Sequence, residues 1–235
     1  MVDIPFILTA FKAGIRYIPI TLVISLSAFG LGVIIGLGIA LIRFLKIPFL
    51  TELLRWVVTL LKGVPIILVL LIIYILSTDG INIITESLNL PFRFKDLNPV
   101  WIAIIGLSIY SSIGFSENFR GAFTTIDPGQ FDASESIGMT RWQTMRRIII
   151  PQAFLTMLPV SVNMLVGLVK GTALSSLIGV VDVLQGAQIS GSLRNLFLES
   201  YIAAAIIYWG INALIEFAGG RLERALQNRR GGLSV

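Results

Sequence analysis

Five long apolar runs constrain the fold of this chain more than any other feature. A bilayer core about 30 Å thick needs roughly 20 apolar residues per helix. Such runs predict membrane spans at about residues 17–42, 56–78, 97–117, 157–178 and 200–220. Only 13% of the residues are charged, whereas a soluble domain carries about 25%. The sequence therefore predicts an all-α integral membrane protein with five transmembrane helices, forming one transmembrane domain over residues 1–235.

The distribution of Lys and Arg predicts how these spans are oriented. An odd number of spans places the two termini on opposite sides, and cytoplasmic loops carry an excess of positive residues. Twelve of the eighteen basic residues fall after spans 1, 3 and 5, five fall on the other side, and Lys170 lies within span 4. The amino terminus is therefore expected outside and the carboxyl terminus in the cytoplasm, although Lys12 and Arg16 oppose this assignment.

The first sixteen residues do not have the pattern of a signal peptide. Their charges come late, and the apolar run that follows is too long. The segment from Pro5 to Arg16 is expected to form either an amphipathic helix on the outer surface or an ordinary lead-in to the first span.

The absence of Cys and His removes several chemistries. Disulfides, zinc sites, thiol nucleophiles and histidine bases all need these residues, and no metal site is expected. The carboxylates are scattered along the chain, so it is not expected to be an enzyme.

The loop between spans 3 and 4, at about residues 118–151, has helix punctuation of its own. Asp127 and Pro128 can begin a helix, and Gly138 can end it. Thr140 and Gln143 form a second capping-box pattern, which opens a helix expected to end before Pro151. The loop is therefore expected to fold as two helices joined at a glycine, and we call residues 126–147 the knuckle. Trp142 is expected to pack the knuckle against the membrane domain.

The same loop contains a spaced set of acidic, small and apolar residues. Asp132-Ala133-Ser134 is followed after three residues by Gly138, and after nine more by Ile148-Ile149-Ile150-Pro151. This segment resembles the EAA loop of ABC importer permeases, whose pattern is Glu-Ala-Ala, Gly and Ile-x-Leu-Pro at the same spacing. Other fragments are similar to the polar amino acid branch of that family: Lys62-Gly63-Val64-Pro65, Glu117 with Arg120-Gly121, and Asn163 with Lys170-Gly171-Thr172-Ala173-Leu174.

The resemblance implies a type I ABC importer fold and a permease subunit that carries a polar amino acid or derivative by alternating access. The loop at about 126–151 would be the cytoplasmic coupling loop that docks on a separate ATPase. The residues implied there are Asp132 for charge-based registration, the small Ala133 and Ser134 for close approach, Gly138 for the turn, and Arg141 and Pro151. The alternative is that the loop caps the permease and contacts no partner.

The chain has no Gly-x-x-x-x-Gly-Lys-Ser/Thr motif, which nucleotide binding in the P-loop manner requires. No cofactor is therefore expected in this chain, and ATP and Mg would be bound by the partner ATPase. The other implied partners are a second permease copy or sister permease, an extracytoplasmic solute-binding protein, an amino acid substrate and membrane lipid. Nucleic acid is not expected, and the resemblance places the chain in the bacterial inner membrane.

Lys170 is an ionisable side chain inside an apolar run. Such residues often mark a transport pathway or a specific partner. Lys170 is expected either to attract a substrate carboxylate, with Asn163 and Thr172 near the same face, or to have a structural partner or reach an interface. For Asn163 and Thr172 the alternative is interhelical hydrogen bonding. In span 1, Gly32 and Gly36 form a Gly-x-x-x-Gly pair that predicts close helix packing.

Two other functional classes are possible from these residues. An ATPase-independent secondary transporter or channel would use Lys170 for coupling or selectivity, but it gives no reason for the spaced loop motif. A membrane enzyme would need catalytic groups clustered at one membrane surface, and the sequence contains no such cluster.

Overall fold

The computed structural model describes residues 3–192 and 194–231. The described residues form helices joined by short turns. In chain order the helices are α1 (Ile4–Ile15), α2 (Ile18–Phe44), α3 (Leu50–Lys62), α4 (Ile66–Ser87), α5 (Pro99–Thr124), α6 (Gly129–Ser136), α7 (Arg141–Thr144), α8 (Ile150–Gly171), α9 (Val183–Ser192) and α10 (Phe197–Gly231). A π turn at Met145–Ile149 joins α7 to α8, and 3₁₀ turns lie at Phe94–Asp96 and Thr172–Ile178.

Among the described residues, five helices are long and apolar enough to cross a membrane: Ile18–Phe44, Ile66–Ser87, Pro99–Thr124, Arg141–Ile178 and Phe197–Leu226. This number confirms the all-α, five-helix architecture expected from the sequence.

The second of these helices begins later than expected from the sequence. Residues 56–62 belong to α3, and the spanning helix α4 begins only at Ile66, whereas the apolar run predicted a span at 56–78. Pro65 has no N–H to donate and disfavours helical geometry at Val64, so the chain breaks between Lys62 and Ile66. Hydropathy alone did not detect this break because α3 is itself rich in Leu and Val.

Helices α2 and α5 pack closely against each other. A Cβ on Gly32 would lie 2.1 Å from the Ser111 Oγ, and a Cβ on Gly36 would lie 2.5 Å from the Phe115 Cβ. The Ser111 hydroxyl donates a hydrogen bond of 2.9 Å to the Ala28 carbonyl oxygen. The Gly-x-x-x-Gly pair therefore permits the close helix packing predicted from the sequence, because only glycine allows the two backbones to come this close.

The amino-terminal helix α1 is separate from the first spanning helix. Phe6, Ala10 and Gly14 bury one of its faces against α9 and α10, while Ile4 and Leu8 remain exposed. Its 12 residues extend roughly 18 Å, which is too short to cross a bilayer core. It is therefore packed on the helical bundle as a distinct element.

Candidate coupling knuckle and membrane cavity

The first half of the knuckle is a short helix with well-formed ends. The Asp127 carboxylate accepts a hydrogen bond from the Gly129 N–H at 2.8 Å, next to the start of α6. After α6, Gly138 has a φ of 77°. The Gly138 N–H donates to the Glu135 carbonyl oxygen at 2.9 Å, and the Met139 N–H donates to that of Ser134 at 3.0 Å. This pair of bonds is a Schellman motif, which ends the helix at the glycine as predicted.

The second half of the knuckle is continuous with the fourth spanning helix. Thr140 and Gln143 form the predicted capping box, with the Thr140 N–H donating to Gln143 Oε1 at 2.8 Å and the Gln143 N–H to Thr140 Oγ1 at 3.3 Å. The helix was expected to end before Pro151, and this was wrong. The chain widens into the π turn at Met145–Ile149 and continues through Pro151, because a proline is tolerated in the first turn after such a change of winding.

Aromatic packing attaches the knuckle to the membrane domain. Phe131 stacks on Phe44 at the end of α2 with ring centroids 5.8 Å apart, and Phe44 meets Phe123 of α5 edge-on at 5.4 Å. Trp142 was expected to make this attachment, but it is 54% exposed. Phe131 makes it instead, because it lies on the face of α6 directed toward the bundle.

The residues implied for the coupling loop divide into an outer and an inner set. Asp132, Ala133, Gly138, Arg141 and Pro151 are exposed, whereas Ser134 is 3% exposed. The Ser134 hydroxyl lies 2.8 Å from that of Thr144 on α7. The small Ser134 therefore permits a close approach between α6 and α7 of the knuckle itself.

Ile137 was missed in the sequence analysis, although it is 76% exposed at the tip of the knuckle. The signal was an apolar residue placed directly before the terminating glycine, at the end of a polar helix. Beside α6 and α7 lies a cleft of about 490 Å³, whose lining includes Asp132, Glu135 and Arg141.

A cavity of about 510 Å³ lies between α3, α4, α5 and α8. Most of its lining is apolar or small, and its charged lining residues are Lys62 and Glu117. The complete lining is Leu61, Lys62, Ile66, Tyr110, Ser111, Ile113, Gly114, Glu117, Asn118, Met164, Gly167, Leu168 and Gly171.

Glu117 of α5 is the centre of an ion-pair network at one end of this cavity. Its Oε1 lies 2.6 Å from Arg43 Nη1, and its Oε2 lies 3.2 Å from Arg120 Nη2 and 3.7 Å from Lys62 Nζ. In the sequence, Lys62, Glu117 and Arg120 stood out only as fragments of the resemblance. Their pairing was not predicted, and Arg43, which is 74 residues from Glu117 in the chain, was missed.

The three residues considered for the substrate pathway are not brought together. Asn163 and Lys170 are exposed on one face of α8, two turns apart. Thr172 is fully buried and donates to the Val169 carbonyl oxygen at 2.8 Å. The expectation that Thr172 shares a face with Lys170 was wrong, because residues two apart on a helix point in nearly opposite directions. None of the three lines the 510 Å³ cavity.

A buried carboxylate lies between the fourth and fifth spanning helices. Asp182 accepts a hydrogen bond from the Gln185 N–H at 3.0 Å and another from the Tyr208 hydroxyl. Its burial raises the pKa of the carboxyl, and these hydrogen bonds oppose that rise. Asp182 therefore caps α9 and ties it to α10.

Comparison with known proteins identifies a family and several relatives of this chain. Residues 28–228 match the family described as binding-protein-dependent transport system inner membrane component. The chain is 33% identical over 228 residues to a probable amino-acid permease protein, YxeN, of Bacillus subtilis strain 168, covering 96% of each chain. It is 31% identical over 201 residues to the L-cystine transport system permease protein TcyL of the same organism, covering 86% of this chain and 82% of that one.

Solved structures have the same fold. A chain from the crystal structure of an amino acid ABC transporter with histidines is 28% identical, with a TM-score of 0.79, and the match covers 96% of this chain and 99% of that one. A chain of the MetNI methionine ABC transporter, at 20% identity and a TM-score of 0.67, covers 90% of this chain and 94% of its own. The type I importer fold is thereby confirmed. Together with the match over residues 28–228, this shows that the chain belongs to the family of inner membrane components of binding-protein-dependent transport systems, the permeases of ABC importers.

Proposed function

We propose that this chain is the membrane-spanning permease subunit of an ATP-driven importer for an amino acid or a polar derivative. Its curated relatives include proteins named as amino-acid and L-cystine permeases. The observation that carries the coupling mechanism is the knuckle. The segment with the EAA-type spacing folds as an exposed two-helix unit, and this unit continues directly into the fourth spanning helix.

The knuckle has the properties of a docking element. Its outer surface presents the apolar Ile137 and Trp142 beside the charged Asp132 and Arg141. Exposed apolar anchors surrounded by charged groups are typical of protein interfaces. The occupant that we propose is a cytoplasmic ATPase subunit, which would bind ATP and Mg, and the knuckle end is then the cytoplasmic end. ATP binding would change the populations of the inward-facing and outward-facing states by favouring one of them.

A second permease, identical or related, completes the pathway in this proposal. Asn163 and Lys170 are exposed in the isolated chain and lie within the Arg141–Ile178 segment, which is long and apolar enough to cross a membrane. A charged side chain facing lipid costs about 2.5–3.5 kcal/mol at a helix centre on insertion scales. This cost favours a protein or water-filled surface opposite α8, as a paired permease would provide. An extracytoplasmic solute-binding protein would deliver the substrate on the far side.

Retention of the ATPase in detergent tests the docking proposal. The wild-type chain should retain its cognate ATPase subunit in a pull-down, and Asp132→Lys combined with Gly138→Asp should lose it. Glu86→Lys is the matched control, since Glu86 is an exposed partner of Arg93 near the end of α4 and outside the knuckle. The control should retain the ATPase.

Solute uptake separates the two transport classes. Reconstituted vesicles that hold the permease and the ATPase with the knuckle inside should take up an amino acid only when ATP is enclosed and the proposed solute-binding protein is present outside. Uptake at the same rate without the ATPase would instead support a secondary transporter or channel.

A further inference from the structure

Two side-chain contacts border the knuckle end of the 510 Å³ cavity. The cavity follows α5 from Tyr110 to Asn118, and the chain of α5 runs toward the knuckle. At that end Lys62 contacts Glu117 at 3.7 Å, between α3 and α5. The Asn118 side-chain amide contacts the Met164 sulfur at 3.0 Å, between α5 and α8. Polar contacts from α3 and from α8 to α5 therefore border the end of the cavity nearest the knuckle.

The two sides of the Lys62–Glu117 pair differ in how firmly they are held. The Glu117 side chain is 20% exposed and also binds Arg43, which is only 12% exposed, and Arg120. The Lys62 side chain is 66% exposed, and its separation from Glu117 is the longest of the three. An exposed lysine on a flexible stem forms weak ion pairs. Glu117 is thus the fixed member of the pair, and Lys62 is the one that can leave.

Lys62 also lies at a joint between two helices. It is the last residue of α3, and Gly63, Val64 and Pro65 separate it from α4. A Cβ on Gly63 would meet only the Leu60 carbonyl oxygen, at 3.6 Å, so the turn is not tightly enclosed. The end of α3 can therefore move relative to α5 without bending a continuous helix.

We propose that the contact between Lys62 and Glu117 is a gate at the knuckle end of the cavity. The cavity is closed here while the last turn of α3 lies against α5 and the pair is formed. It opens when Lys62 moves away from Glu117, which Arg43 and Arg120 hold in place. The proposal rests on the transport function proposed above, because a gate has a role only if solute passes through the cavity.

The gate can be tested by thiol labelling, because the chain contains no cysteine. Gly171 lines the cavity and is buried, and a Cβ at this position would meet the Ile66 Cδ1 at 3.3 Å and the Leu107 Cδ2 at 3.7 Å, both at the ends of flexible side chains. Gly171→Cys therefore provides a buried reporter thiol for a membrane-impermeant maleimide. Labelling is measured in membrane vesicles of the permease alone, and a separate Ile137→Cys variant identifies vesicles with the knuckle exposed to the reagent.

The test compares two charge removals on the same helix. Lys62→Met keeps an unbranched side chain of nearly the same length and loses the ammonium group. Arg55→Met is the matched control, since Arg55 pairs with Glu52 on its own helix at 2.8 Å, with both side chains more than half exposed. Lys62→Met should speed labelling of the reporter thiol from the knuckle side by at least threefold. Arg55→Met should leave the rate unchanged, and Lys62→Arg should keep it slow.

Two results would overturn the gate. One is an unchanged labelling rate in Lys62→Met, and the other is an equal acceleration in Arg55→Met, which would indicate general loosening of α3. Solution behaviour by size-exclusion chromatography verifies that each variant is folded. Labelling requires neither ATP nor the ATPase, so failure of the gate is distinguished from failure of the importer function, which the uptake assay measures.

Discussion

The contact between α2 and α5 provides the sharpest test of how this bundle is packed. Four glycines lie on α2 within nine residues, and the structure divides them into two pairs. Gly32 and Gly36 face α5, whereas a Cβ on Gly30 or Gly38 would meet nothing within 4 Å. Replacing Gly36 or Gly38 with alanine therefore makes the same chemical change on the same helix in two different environments.

The magnitude follows from the distances at Gly36. The added Cβ would lie 2.5 Å from the Phe115 Cβ and 2.8 Å from the Ser112 carbonyl oxygen, where an ordinary carbon contact is about 3.5–4.0 Å. Neither neighbour is the end of a flexible side chain, so the helices must separate by about 1 Å. Overpacking of this kind costs about 1–3 kcal/mol. The gain in helix propensity on replacing glycine, up to about 1 kcal/mol, is common to both variants and cancels in their comparison.

Thermal unfolding in detergent, followed by the fluorescence of the four tryptophans, measures this difference. For a chain of this length, 1 kcal/mol corresponds to about 2–4 °C in Tm. Gly36→Ala should therefore melt about 2–12 °C below Gly38→Ala, and Gly38→Ala should melt at or slightly above the wild type. If Gly36→Ala melts with or above Gly38→Ala, the close approach of α2 and α5 is refuted.

Three further predictions concern the knuckle and the buried carboxylate. Gly138→Ala should weaken ATPase retention in the pull-down because its positive φ costs an L-residue about 1–2 kcal/mol, and Gly138→Asn, which tolerates this geometry better, should be less affected. Phe131→Ala should detach the knuckle from Phe44, seen as faster proteolysis of the 126–147 segment, while Tm of the bundle changes little. Asp182→Ala should lower Tm more than Tyr208→Phe, because it removes the α9 cap as well as the hydrogen bond to α10, and equal shifts would contradict the capping role.

Hydropathy and local punctuation were sufficient to predict most of the architecture. The spans follow from the free energy of placing apolar side chains in lipid, which is a sum over a window of sequence. The knuckle follows from caps whose hydrogen bonds join residues two to five positions apart. The predictions of a helix end at Gly138 and of a capping box at Thr140–Gln143 were correct for this reason.

The errors arose where orientation or distant contacts decide the structure. Ser134 and Thr172 each turn inward, because two residues along a helix correspond to a rotation of about 200°. The break before α4 depends on Pro65 rather than on mean hydropathy. Glu117 contacts Arg43 because α2 and α5 pack together. No local pattern in the sequence predicts a contact between two groups 74 residues apart.

The continuity of the helix from Arg141 to Ile178 links the knuckle to the cavity. The same helix carries Trp142 at the knuckle surface and Met164, Gly167 and Gly171 at the cavity wall. Lys62 belongs to a different element, which ends at the joint before α4. We therefore expect a displacement of the knuckle to move the α8 wall of the cavity relative to the α3 wall. Because the two contacts at the cavity end join these walls through α5, relative movement of α8 and α3 changes that end first. On this geometry, movement of the proposed docking surface would act through α8 on the cavity end that the proposed gate closes.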